Sequence, residues 1–137
     1  MSKQLATFNT VIAAIGATIT AALGGWDIAL QVLVAFVVLD YITGLTVAIA
    51  GKKVSSAVGF KGLVKKVMIF ALLFVAVQAD KATGSEIIRS FTIMFYIANE
   101  GISVLENAGK LGVPYPAPLK NILVALKEKS NGEEVSK

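Results

Sequence analysis

From Ile28 to Ala50 the chain carries a single ionisable acid or base, Asp40, in a run otherwise made of Val, Leu, Ile, Ala, Phe, Gly and Thr with one Tyr and one Gln. A run of that length and apolarity matches the roughly 20 helical residues that cross a hydrocarbon core of about 30 Å. It restricts the segment to a helix, because every backbone N–H and C=O in lipid must find its partner within the segment. The question it raises is why a carboxylate stands near its middle.

Three further segments share the pattern: residues 5–24, 63–79 and 87–105. Across 137 residues the hydrophobic share is 55% and the mean hydropathy +0.74, too apolar for an ordinary soluble domain of this size. The sequence therefore predicts an all-α integral membrane protein with four transmembrane helices, 5–24, 28–50, 63–79 and 87–105, forming a membrane domain over residues 1–108. Residues 109–137 form a cytoplasmic tail. Pro114, Pro116 and Pro118 interrupt it, and a short amphipathic helix follows over 118–129, with Leu119, Ile122, Leu123 and Leu126 on one face. That helix is expected to lie on the membrane surface or to pack on a partner. The closing stretch 130–137 is expected to be disordered.

Orientation follows from lysine placement. With the N-terminus inside, Lys3, Lys52, Lys53, Lys61, Lys65, Lys66, Lys110 and the tail lysines fall on the inner side, against Lys81 and Arg89 outside. The positive-inside rule then puts both termini in the cytoplasm. Residues 51–66 read as a basic connection. Its Lys52, Lys53, Lys61, Lys65 and Lys66 act as topogenic charges and contacts for anionic headgroups, the last two snorkelling from the start of the third span.

Helical projection sorts the polar residues. On the first helix the bulky Leu5, Phe8, Val11, Ile12, Ile15 and Ile19 share one face. Ala13, Ala17 and Ala21 form a small-residue ladder on the other. That ladder suits close packing within the chain or against other subunits, and Gly44 on the second helix is a further close-approach position. On the fourth helix Arg89, Thr92, Tyr96, Asn99, Glu100, Ser103, Glu106 and Asn107 fall within an arc of about 120°. Such a stripe must face protein or water, as a buried polar network or as the wall of an opening. Counted from the outer ends, Asp40 and Glu100 reach similar depths, with Arg89 too near the outside to meet either. A charged carboxylate there costs about 2.5–3.5 kcal/mol or more. One of the two is then expected to be neutral or hydrogen-bonded, with Thr43, Asn99 and Ser103 as local partners.

Other function classes are poorly served. The absence of cysteine and histidine removes thiolate sites, the usual general base and the commonest metal ligand. No catalytic residue, metal site or cofactor is expected, so the chain does not read as an enzyme. The basic charge is not interleaved with aromatics as in nucleic-acid grooves, and no nucleic-acid partner is expected.

Two stretches carry more than composition. Residues 39–66 contain Asp40-Tyr41, Thr43-Gly44, Ser55-Ser56, Gly59, Gly62 and Lys65-Lys66. Residues 95–129 contain Asn99-Glu100, Ser103, Leu105-Glu106-Asn107, Gly112, Pro114, Pro116 and a leucine- and lysine-rich end. As a set they resemble the bacteriophage holin family that includes clostridial toxin-secretion holins. The resemblance implies a multi-pass protein of the host bacterial cytoplasmic membrane that self-associates. It opens lesions through which an endolysin or a toxin crosses without needing to touch it. In that setting Asp40 and the polar arc would move from buried contacts to the lining of an aqueous opening. A proton-coupled multidrug-type transporter and a non-pore membrane assembly subunit are the alternative readings.

Overall fold

The computed structural model describes residues 2–132, so residues 133–137 lie outside it, including most of the stretch expected to be disordered. Five helices follow one another: α1 Lys3–Ala22, α2 Ile28–Ala50, α3 Ser56–Thr83, α4 Ile87–Lys110 and α5 Ala117–Ser130. Helix starts are chemically marked. Ser2, Asp27 and Ser55 each accept a hydrogen bond from the backbone N–H three residues on, satisfying an orphan donor of the first turn.

The second helix matches its expected span residue for residue. The third does not. It begins at Ser56 rather than at residue 63, because Ser55 caps it, so most of the basic connection is helix and only residues 51–55 link α2 to α3. At its other end α3 continues past residue 79, through Asp80, and stops at Gly84 with a φ of 70°. The fourth helix likewise runs on to Lys110.

Two of the four expected spans, α1 and α2, are long and apolar enough to cross a membrane by length and composition. α3 carries Lys61, Lys65, Lys66, Asp80 and Lys81, and α4 carries Arg89, Glu100, Glu106 and Lys110 together with Asn99 and Asn107.

α4 is the organising element: it packs along α2, α3 and α5, whereas α2 and α3 meet only briefly. The core gathers Leu30, Leu33 and Val37 of α2, Ile69 and Leu73 of α3, Ile93 of α4, and Leu23 at the end of α1. Around it the outside is apolar, with Ile28, Phe60 and Ile49 all well exposed.

α1 stands apart. From Lys3 to Ala22 it stays at least partly exposed on every side. The Ala13, Ala17, Ala21 ladder therefore does not pack within the chain. Its threonines close their own hydrogen bonds: Thr7, Thr10 and Thr18 donate to the carbonyls of Lys3, Ala6 and Ala14 at 2.9, 2.9 and 2.8 Å. A helix with its hydroxyls satisfied internally can rest in lipid without a neighbour.

Candidate functional site

The buried stripe of α3 is Ile69, Leu73, Ala76, Val77 and Asp80. Lys66 lies on the same stripe, three residues before Ile69, so its ammonium turns inward rather than snorkelling to an interface. It forms an ion pair with Asp40 of α2 and a second, at 2.7 Å, with Glu100 Oε2 of α4. Asp40 and Glu100 are 8% and 2% exposed. One cation thus joins two carboxylates from two other helices, and the two acids share a level, as their depths along the helices require.

Asn107, two turns below Glu100 on α4, completes the cluster. Its Nδ2 donates to Asp40 Oδ1 at 3.1 Å and to Thr43 Oγ1 at 2.8 Å. Gly44 lies beside this contact, but a Cβ there would meet Asn107 Nδ2 at an ordinary 3.8 Å, so the approach does not depend on the glycine. Beside the pair, Tyr41 donates its hydroxyl to the Gly59 carbonyl at 3.1 Å, and its ring lies against Gly62. Ser103 and Glu106 border a cavity of about 290 Å³ next to Asp40 and Lys66. Among the described residues no buried side-chain nitrogen or oxygen lacks a partner.

The rest of the α4 arc is divided among other neighbours. Asn99 accepts from Lys127 of α5 at 2.9 Å. Tyr96 packs on the apolar core, edge-on to Phe95. Thr92 donates to its own helix at the Ile88 carbonyl. Arg89 sits at the far end, where it grips Asp27 through both carboxylate oxygens at 2.7 and 3.2 Å and donates to the carbonyls of Leu23 and Gly25. The Asp27 carboxyl is held below the usual carboxylate range, first by its hydrogen bond with Arg89. Partners from neighbouring subunits are thus not required at Arg89, Asn99, Glu100 or Asn107. Lys52, Lys53, Lys61 and Lys65 remain exposed, as do Ala13, Ala17 and Ala21.

Sequence reasoning missed three of these roles. It took Lys66 for a headgroup lysine and passed over Asp80, which accepts from the N–H groups of Ile88 and Arg89 at 3.0 and 2.8 Å and so caps α4 across the turn. The signal was present in the spacing of Lys66 and Asp80 with Ile69, Leu73 and Ala76, which puts both ionisable groups on the buried stripe. Tyr41 was noted only as part of a motif.

Part of the set that carries the resemblance therefore meets at one place, with Asp40, Thr43 and Lys66 from the first stretch and Glu100 and Asn107 from the second. Residues 17–128 match the bacteriophage holin family. The chain belongs to that family. Among relatives of this holin-family chain, a probable holin of Bacillus phage phi105 is 32% identical over 109 residues, which cover 79% of the chain and 80% of the relative. An uncharacterised 14.9 kDa protein of Clostridium perfringens is 42% identical over 120 residues, 86% of the chain and 91% of the relative. An uncharacterised protein of Listeria monocytogenes is 41% identical over 112 residues, 81% and 80% respectively. No solved structure matches the chain. Family membership points to a non-enzymatic membrane protein.

Proposed function

We propose that the chain works as a holin. It accumulates in the cytoplasmic membrane of a host bacterium, assembles with copies of itself, and opens lesions that let an endolysin or a toxin cross. The observation that carries this reading is the family match over residues 17–128, supported by the probable holin of a Bacillus phage among the relatives. The proposed topology has α1 to α4 crossing the bilayer with both termini in the cytoplasm, the exposed Lys52, Lys53, Lys61 and Lys65 meeting inner-leaflet headgroups.

Two features support this reading. α1 is apolar, self-satisfied and unpacked within the chain, and so free to meet another copy through Ala13, Ala17 and Ala21. Lys66 pairs with both Asp40 and Glu100 and offsets one of their two charges, which lowers the burden of carrying them in lipid. The opening question has its answer in this arrangement. Asp40 is tolerable while it is paired with Lys66 and Asn107, and hydration of the same cluster stabilises an aqueous lining once subunits part around it. Asp40, Glu100, Ser103, Glu106 and Asn107 would then turn from mutual contacts to water, with Asn99, Tyr96, Thr92 and Arg89 extending the same face.

The test is inducible expression in a bacterium with and without an endolysin that lacks a signal peptide, following membrane potential and optical density together. Abrupt depolarisation followed by endolysin-dependent lysis is expected. A steady potential in cells that pump dye would turn the reading to a proton-coupled transporter. A steady potential without efflux would turn it to an assembly subunit. Asp40→Asn should shift the time of onset, and unchanged timing would remove Asp40 from the mechanism.

A further inference from the structure

The fifth helix does not stand clear as a surface tail. The chain reverses at Gly112, where φ is 80°, passes Pro114 and Pro116, and α5 runs antiparallel along α4. Leu123 is the buried residue of α5 and sits over Gly101. A Cβ on Gly101 would come within 3.0 Å of Leu123 Cδ1 and 3.1 Å of Phe36 Cε2, so the seat exists because residue 101 has no side chain. Further along, Lys127 Nζ donates to Asn99 Oδ1 at 2.9 Å and stands 5.8 Å from the Phe95 ring centroid. α5 packs along much of α4, with Leu123 as its buried anchor and Lys127 as its polar contact.

The face beneath α5 has the chemistry by which helices associate in lipid. Gly101 permits close approach, and Asn99 supplies an amide for hydrogen bonding. The outer side of α5 is mixed, with Lys120, Asn121 and Lys129 exposed beside Leu119 and Ile122. With α4 across the bilayer as proposed, docked α5 would hold Lys127 beside Phe95, in hydrocarbon, and carry the exposed Lys129 there with it, where a charge is unfavourable. Released, α5 returns its lysines to water and anionic headgroups. Docking thus satisfies Asn99 and Leu123 at the expense of Lys129, and release does the reverse.

From these opposed demands we propose that α5 is a displaceable strap. Docked, it covers the Asn99–Gly101 face of α4 and blocks contact between copies through that face. Released, it leaves that face to a second copy, and lesions follow. The proposal rests on the holin reading.

The chain has no cysteine, which makes the test clean. Full-length protein with Asn99→Cys and Lys127→Cys would be reconstituted in phosphatidylethanolamine–phosphatidylglycerol vesicles loaded with a fluorescent dye. A reducible bis-thiol-reactive reagent of lysine-like length should link the two cysteines within one chain and abolish dye release, and reduction should restore it. Release unaffected by the intrachain link, or cysteines that link only between chains, would overturn the strap. A chain truncated after Gly112 should release dye at a lower protein-to-lipid ratio than the full chain, and an unchanged threshold would also overturn it. Should the native chain and the reduced variant both release nothing, the holin reading itself fails, and the strap with it.

Discussion

Lys66 and Glu100 form an ion pair at 2.7 Å with side chains only 18% and 3% exposed, and Asp40 reaches the same ammonium from α2. Three helices are held by one cation. Replacing Lys66 with Met would leave two carboxylates facing each other without a counter-charge. Breaking a buried ion pair from one side costs roughly 3–5 kcal/mol. Thermal unfolding in detergent should place Lys66→Met well below the native chain. Adding Asp40→Asn and Glu100→Gln should recover much of the loss, since no charge is then left unpaired. A Lys66→Met chain that melts with the native one would show the three groups to be energetically independent.

Asp27 gives a pH dependence with a definite sign. Its carboxyl titrates lower in the folded chain than when unfolded, owing first to the Arg89 hydrogen bond. The stability it contributes is complete above the ordinary carboxylate pKa and fades as the pH falls through the lower folded value. Half of the Asp27 side chain is exposed, so solvent screening keeps the effect small. Trp26, the sole tryptophan, sits in the same turn and reports on it. Its emission should change as the pH drops below about 4. Asp27→Asn keeps an oxygen to cap α2 but removes the charge, and should flatten that change. Persistence of the full change in Asp27→Asn would assign it to another group.

Asp80 should matter more than a loop acid would. Its carboxylate accepts from two backbone N–H groups at the start of α4 and is 5% exposed. Loss of a helix cap costs about 0.5–2 kcal/mol. Asp80→Ala should lower the melting temperature, and Asp80→Asn should fall between, because the amide offers one acceptor oxygen where the carboxylate offers two. A native melting temperature in Asp80→Ala would show that the cap carries no stability.

The turn between α1 and α2 contains two glycines that should respond differently to alanine. Gly24 and Gly25 have φ of 93° and 107°, so each substitution strains the backbone. At Gly25 a Cβ meets open space, but at Gly24 it would lie 2.2 Å from Arg89 Nε. Gly24→Ala should therefore unfold at the lower temperature and weaken the Arg89 grip on Asp27. Equal losses at the two positions would mean that Arg89 moves aside freely.

Much of the fold was legible. The bounds of α2 follow from the long apolar run around Asp40, behind the capping Asp27, and the α4 polar arc follows from its periodicity. The start of α3 was hidden because lysines after a span read equally well as loop charges or as the exposed side of a helix. Lys66 was misplaced for the same reason: along the chain alone, a lysine at the edge of an apolar run has water within reach. The return of α5 onto α4 was not legible either, since an amphipathic face does not name what it covers.

The sequence by itself determined that its apolar segments are helical, that α1 and α2 are apolar enough for lipid, and the family to which the chain belongs. All three depend on residues close together along the chain or on motifs matched piece by piece. Only the tertiary structure decided which charges neutralise one another. Lys66 meets Asp40 and Glu100 across 26 and 34 residues of chain, and such pairing depends on the register between helices, which is set by how Leu30, Leu33, Leu73 and Ile93 pack.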